Sequence, residues 1–201
     1  MLHTTLHFVV ALAWTLTSGF LVPDEHRPVT DPFDTVDLVD MPAEFVELAR
    51  WSVELFHEAG LELPPVRFTH HGDALAPCAG RKGFHRHIDG LSTIAICTSD
   101  PGRTTLWLVL HETAHAWAAH DLDEGRKAEF QALRGWEHWR NHNTIPWHEN
   151  GTEQAAEIIA WGLVDRPFGV ASIHDHSCDA LDAGYRTLTG QAPLHGYRDH
   201  C

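Results

Sequence analysis

Basic side chains are scarce in this chain. Its 201 residues carry 14 lysines and arginines against 28 aspartates and glutamates, a formal charge of −14 with histidine neutral. That balance excludes a nucleic-acid binder held by phosphate contacts and a polybasic membrane-surface protein. Long hydrophobic runs are missing too. The stretch Phe8-Val9-Val10-Ala11-Leu12-Ala13-Trp14 is continuously apolar, but a spanning helix needs about 20 such residues, so no stable membrane span is expected. Cysteine is limited to positions 78, 97, 178 and 201. No two of these form Cys-x-x-Cys, which argues against a zinc ribbon or a thioredoxin-type centre. There is no internal repeat and no low-complexity tract.

What the chain does hold in quantity is histidine, 18 residues, beside an apolar fraction of 43%. That fraction is enough for a packed core and speaks against wholesale disorder. The histidines make the charge conditional, because an ordinary imidazole titrates near pH 6.5.

Residues 1–22 contain no Asp, Glu, Lys or Arg and read as a signal peptide or an N-terminal apolar segment. The apolar run has the length of a signal-peptide h-region, and Thr17, Ser18 and Gly19 offer small residues for processing. Its n-region has only His3 and His7, so a strand or helix packed on the domain is the alternative. Residues 23–41, with Pro23, Pro28, Pro32 and several aspartates, read as a linker, and 42–201 as the main folded domain. An even cysteine count in an exported chain favours disulfides. Cys78 with Cys97 is the expected pair across a hairpin-like stretch, and Cys178 with Cys201 would tie down the tail. The location expected is secreted or extracytoplasmic; the alternative is four thiols in a reducing cytoplasm.

The coarse element order is helix, small sheet, then helices, an α+β arrangement. A helix is expected from 42 to 59, its apolar face traced by Phe45, Leu48, Trp51, Leu55 and Phe56. Strands are expected over 66–70, 83–88 and 92–98, forming a small antiparallel sheet. Further helices fit 105–120 with Thr104 as cap, 124–134, and 153–164 with Asn150 or Thr152 as cap. A loop rich in Trp, His and Asn separates the last two, and a weak helical run covers 177–189.

The chemistry concentrates in His111-Glu112-Thr113-Ala114-His115. On a helix, positions i and i+4 share a face, so both imidazoles can reach one Zn²⁺, with the glutamate placed as a general base. With 18 His and 13 Glu, chance supplies about 0.1 such motifs, so the surroundings matter. Leu106, Val109, Leu110, Ala116 and Trp117 make this an apolar helix without proline. A catalytic zinc takes three protein ligands. The helix after the Trp-rich loop offers Glu153 and Glu157, again i and i+4, on an otherwise apolar segment. Buried carboxylates need partners, and a metal with its histidines supplies them. The alternative is a solvated acidic first turn, favoured by the helix dipole. That explains Glu153 better than Glu157.

This pattern resembles the gluzincin metallopeptidases, and more closely the ImmA/IrrE-type metallopeptidases, whose second motif reads approximately Glu-x-x-Ala-Asn-x-x-Ala. Glu153, Ala156 and Ala160 match it, and Glu157 stands where that motif has Asn. Thermolysin-like gluzincins carry at that place an Asp that orients a ligating histidine. The resemblance covers about residues 104–164. It implies a zincin-like fold: a small antiparallel sheet packed on an active-site helix, plus a second ligand-bearing helix. It also implies His111, His115 and Glu153 as zinc ligands, Glu112 as catalytic base, Glu157 behind a ligating histidine, and a protein or peptide substrate. In that reading Glu112 takes a proton from the attacking water and returns it to the leaving amine. His174, His176 and Tyr185 are candidates for stabilising the oxyanion.

His85/His87 and His174/His176 have the His-x-His spacing that can hold a second metal. His138 and His142 are i and i+4 within the loop. Trp136, Trp139 and Trp147 either shape a substrate cleft or cover the helix pair. The competing function is a non-catalytic zinc-binding or pH-sensing interaction module, which has no need of a base at Glu112. A histidine-rich metal buffer would instead show its histidines in exposed clusters.

Overall fold

The computed structural model describes residues 31–201 apart from 74–75, 140–145, 165–172 and 196–201. The segment 1–22, residues 23–30 of the expected linker, His142 and the Cys201 end of the expected second disulfide lie outside the described residues.

The compact unit begins at Asp31. It runs β1 (Val36–Val39), α1 (Ala43–Glu58), β2 (Val66–His70), β3 (Gly83–Ile88), β4 (Leu91–Ile96), α2 (Arg103–Asp121), α3 (Glu124–Arg134), a 3₁₀ turn (Trp147–Glu149), α4 (Gly151–Leu163) and α5 (Cys178–Thr189). The class is α+β, as expected. Two details are corrected. Part of the expected linker is the strand β1, and the sheet is mixed rather than antiparallel. Its order is β1-β2-β4-β3, with β1 parallel to β2, β2 parallel to β4, and β3 antiparallel to β4. Parallel neighbours need a crossover, and α1 supplies it between β1 and β2. The β3–β4 hairpin turns on Asp89-Gly90, both at positive φ (50° and 80°), the backbone a two-residue type I′ turn demands. The hairpin leaves β3 at the sheet edge.

Two packed layers meet on α2. On one side Phe45, Ala49 and Val53 of α1, Phe68 of β2 and Ile94 and Ile96 of β4 pack with Val109 and Ala116. On the other, Leu110, Ala114 and Trp117 pack with Phe130, Ala156, Ile159, Trp161, Leu181 and Tyr185 of the helical layer. A helix apolar on two sides belongs at the centre of a domain. The one strip of α2 left over carries His111, Glu112 and His115. Ser52 Oγ lies 3.2 Å from Thr113 Oγ1, and Thr113 in turn donates to Val109 O at 2.7 Å, which ties α1 to the motif helix without a stranded hydroxyl. Side-chain caps start the later helices: Asp123 accepts from Arg126 N, Asn150 from Thr152 N, and Ser177 from Ala180 N. The cap of α2 is Gly102, with no side-chain bond, rather than Thr104.

α4 and α5 touch through Gly162. A Cβ there would fall 2.0 Å from Tyr185 Cδ2 and 2.1 Å from Cε2, and Tyr185 is fully buried. Gly162→Ala is therefore expected to destabilise the fold by about 3 kcal/mol or more, the upper range for overpacking, in a urea melt. A change under about 0.5 kcal/mol, the scale of an unremarkable surface substitution, would contradict this contact.

Candidate metal centre

The strip on α2 faces the first turn of α4. His111 Nε2 and His115 Nε2 lie 3.0 Å apart, and each is 3.2 Å from Glu153 Oε2. Among the described residues these three form the group whose donor atoms could hold a metal ion. All three can present lone pairs to a single point. With no proton or cation between them, such an arrangement is repulsive. Zinc–nitrogen and zinc–oxygen bonds of about 2.0–2.1 Å set tetrahedral ligand–ligand edges of about 3.3–3.4 Å, close to the three separations here. The donor set therefore fits a tetrahedral cation with one position left for a non-protein ligand.

The other ring nitrogen of His111, Nδ1, is 3.2 Å from Glu157 Oε1, in ion-pair range though not aligned as a hydrogen bond. Glu157 is buried, and its Oε2 has no hydrogen-bond partner among the described residues. A carboxylate behind a ligating imidazole fixes the ring's tautomer and raises its basicity. Glu157 thus stands behind His111 while Glu153 faces the two histidines.

Electrostatics agree with the geometry. Burial disfavours the charge on His111, but Glu153 and Glu157 outweigh it and raise the imidazole to about 10. Burial also works to raise Glu153, yet hydrogen bonds and charge from His111 and His115 hold it well below the usual carboxylate range. Burial raises Glu112, with His111, His115 and the backbone N–H of His85 pulling the other way. Glu112 is only 8% exposed, so its proton affinity is set by these neighbours rather than by solvent.

A sign follows for metal uptake. Without metal, the raised His111 value adds stability that is complete below 6.5 and lost as pH rises through about 10. The lowered Glu153 value adds stability that is present above 4.5 and lost as pH falls through its depressed value. A metal must displace the His111 proton. Zinc binding at neutral pH is therefore expected to release about one proton per chain, and affinity to fall about tenfold per pH unit on acidification. Calorimetry in buffers of different ionisation enthalpy reads this directly. Zinc uptake with no proton release would contradict it.

The triangle lies in the wall of a cleft of about 1190 Å³. Edge strand β3 forms one side. Trp107, Trp139 and Trp147 also line it, and Trp147 stacks on His111 with centroids 6.1 Å apart. Two of the three loop tryptophans thus shape the cleft. The third, Trp136, meets His174 edge-on at 5.9 Å. Trp117 and Trp161 are buried in the core, 3% and 2% exposed.

The remaining candidates divide differently. His85 Nε2 and His87 Nδ1 are each 3.0 Å from the buried Ser92 Oγ. They share one hydroxyl and, among the described residues, join no group of three metal-type side chains. The His85 ring stacks parallel to His115 at 6.3 Å. None of the oxyanion candidates lines the cleft. Tyr185 is core, its hydroxyl pushed up to about 12 by burial. His174 offers its carbonyl to Arg134, and His176 is exposed. Of the i, i+4 pair in the loop, His138 is exposed. Cys78 and Cys97 are bonded, with Cα atoms 5.8 Å apart, as expected. No helix among the described residues is long and apolar enough to cross a membrane.

The cleft's exposed basic residues, Arg81, Lys82 and Arg86, are not singled out by any motif. Their one signal was position: three of only 14 lysines and arginines sit within or beside one short strand.

Comparison of the chain with known protein families, with curated proteins and with solved structures finds no match.

Proposed function

We propose that this chain is a zinc-dependent metallopeptidase of the gluzincin type, resembling the ImmA/IrrE-type enzymes, with a zincin-like fold. The observation that carries this reading is the near-equilateral donor triangle with Glu112 beside it on the same helix, in the wall of an open cleft. His111, His115 and Glu153 would hold the zinc. Bound there, zinc supplies Lewis acidity, which acidifies water and polarises a peptide carbonyl.

The chain's own residues do the rest. Glu112 takes a proton from the attacking water on its carboxylate and delivers it to the leaving amine. Its raised proton affinity suits both halves of that transfer. Glu157 keeps the His111 ring in register. The outer edge of β3, which pairs with no further strand among the described residues, offers backbone groups on either side of His85 to an extended substrate, which binds as an added strand. Trp139 and Trp147 narrow the cleft around it. An extracytoplasmic location fits the Cys78–Cys97 disulfide, since such bonds persist in oxidising compartments.

Incubation of the zinc-loaded protein with a broad peptide library tests the reading. Cleavage that stops on chelation and returns with zinc is the expected result. Full zinc uptake without cleavage of any peptide would leave a non-catalytic zinc module in its place.

A further inference from the structure

The cleft's charges are segregated. Acidic residues outnumber basic ones two to one in the chain, yet among the described residues the acids lining the cleft are Glu112, Glu153 and Glu157, beside or within the donor triangle. The other charged side chains among the described residues of its wall are positive. Lys127 is held by Glu124 at 2.7 Å. The other three, Arg81, Lys82 and Arg86, are exposed on or beside β3. Arg81 and Arg86 each place a guanidinium carbon 5.5 Å from the Phe84 ring centroid, so one aromatic side chain steadies both. Neither arginine pairs with a carboxylate among the described residues. A hydrogen bond from Ser99, with a smaller contribution from the Lys82 charge, holds Asp73 below its usual range.

Resting on the peptidase reading of this cleft, we propose that the substrate is an acidic peptide. It lies extended along the outer edge of β3, with carboxylates on both sides of the scissile bond meeting Arg86 at one end and Arg81 and Lys82 at the other. The spacing follows from the strand. His85 is the β3 residue whose backbone faces Glu112. At about 3.3 Å per residue, Arg86 lies about 3 Å and Arg81 about 13 Å from that point along the edge. Acidic side chains within about four residues of the cleaved bond can reach them. The chain's overall negative charge does not cancel this. At physiological salt the Debye length is about 8 Å, so a bound carboxylate senses the cations beside it more than distant acids.

The test is a matched peptide set around one cleaved bond, in which the flanking residues are Glu, Gln or Lys. kcat/KM is expected to fall in that order, with Glu about tenfold above Gln, a modest factor because exposed ion pairs are individually weak. The Glu-to-Gln ratio should narrow as salt rises and collapse toward one in the double variant R81Q/R86Q. A parallel measurement follows binding of the labelled Glu and Gln peptides to zinc-loaded Glu112→Gln by fluorescence anisotropy, with and without R81Q/R86Q. It reads the same preference without turnover. Cleavage of all three peptides at equal rates would overturn the acidic preference and leave the peptidase reading standing. No cleavage of any peptide, with Arg-dependent binding of the Glu peptide retained, would sink the peptidase reading and keep the acidic-peptide cleft. Equal anisotropy for the Glu and Gln peptides would overturn the preference in either case.

Discussion

Glu112→Gln is expected to keep one zinc per chain and to lose peptidase activity by about 10²–10⁴-fold, the range that a positioned proton-transfer group contributes. The substitution preserves shape and removes only the ability to accept a proton. Glu112 touches the site from within an apolar helix, 8% exposed, and burial works against its charge. Replacing it with a neutral amide relieves that cost. Thermal stability should therefore stay level or rise while turnover collapses. Loss of activity with loss of fold would assign Glu112 a structural role. Retained activity would remove it from the chemistry altogether.

The second large effect concerns the two glutamates of α4. Glu153→Ala removes one apex of a triangle whose sides are 3.0, 3.2 and 3.2 Å, and metal binding is expected to fall to background. Glu157→Gln leaves the triangle intact but takes the charge from behind His111 Nδ1, and affinity should weaken about 10–100-fold, the usual cost of losing such a backing carboxylate. The order matters as much as the size. Full affinity in Glu153→Ala with loss in Glu157→Ala would place the ligand one helical turn further along.

The site was legible in sequence because its environment is so one-sided. His111, Glu112 and His115 are the polar residues of a helix otherwise filled by Val109, Leu110, Ala114, Ala116 and Trp117. Glu153 and Glu157 interrupt an equally apolar helix. Residues that oppose their surroundings point to a partner, and the fold brings those partners together. The sheet was less legible. β1 is four residues long, set among prolines and aspartates, and its pairing with β2 is made across α1. Alternation along a strand says which face is buried; it does not say whether a neighbour runs parallel. The hairpin alone suggested an antiparallel sheet, and for β3 and β4 that is what forms. Tyr185 shows a different limit. A hydroxyl beyond the ligand helix resembles a catalytic donor in one dimension. In three, the absent side chain of Gly162 leaves a notch that the ring fills. The cations of β3 were invisible for a related reason. Only the sheet order reveals that their strand is an edge, and the fold that this edge borders His111, His115 and Glu153.

Zinc stoichiometry by elemental analysis, on wild type, Glu112→Gln and Glu153→Ala purified side by side at neutral pH, tests the central claim most directly. One zinc per chain in the first two and close to none in the third is the result expected of a His111–His115–Glu153 centre. A wild-type chain that takes up no zinc, or a Glu153→Ala chain that holds it as tightly as wild type, would contradict it.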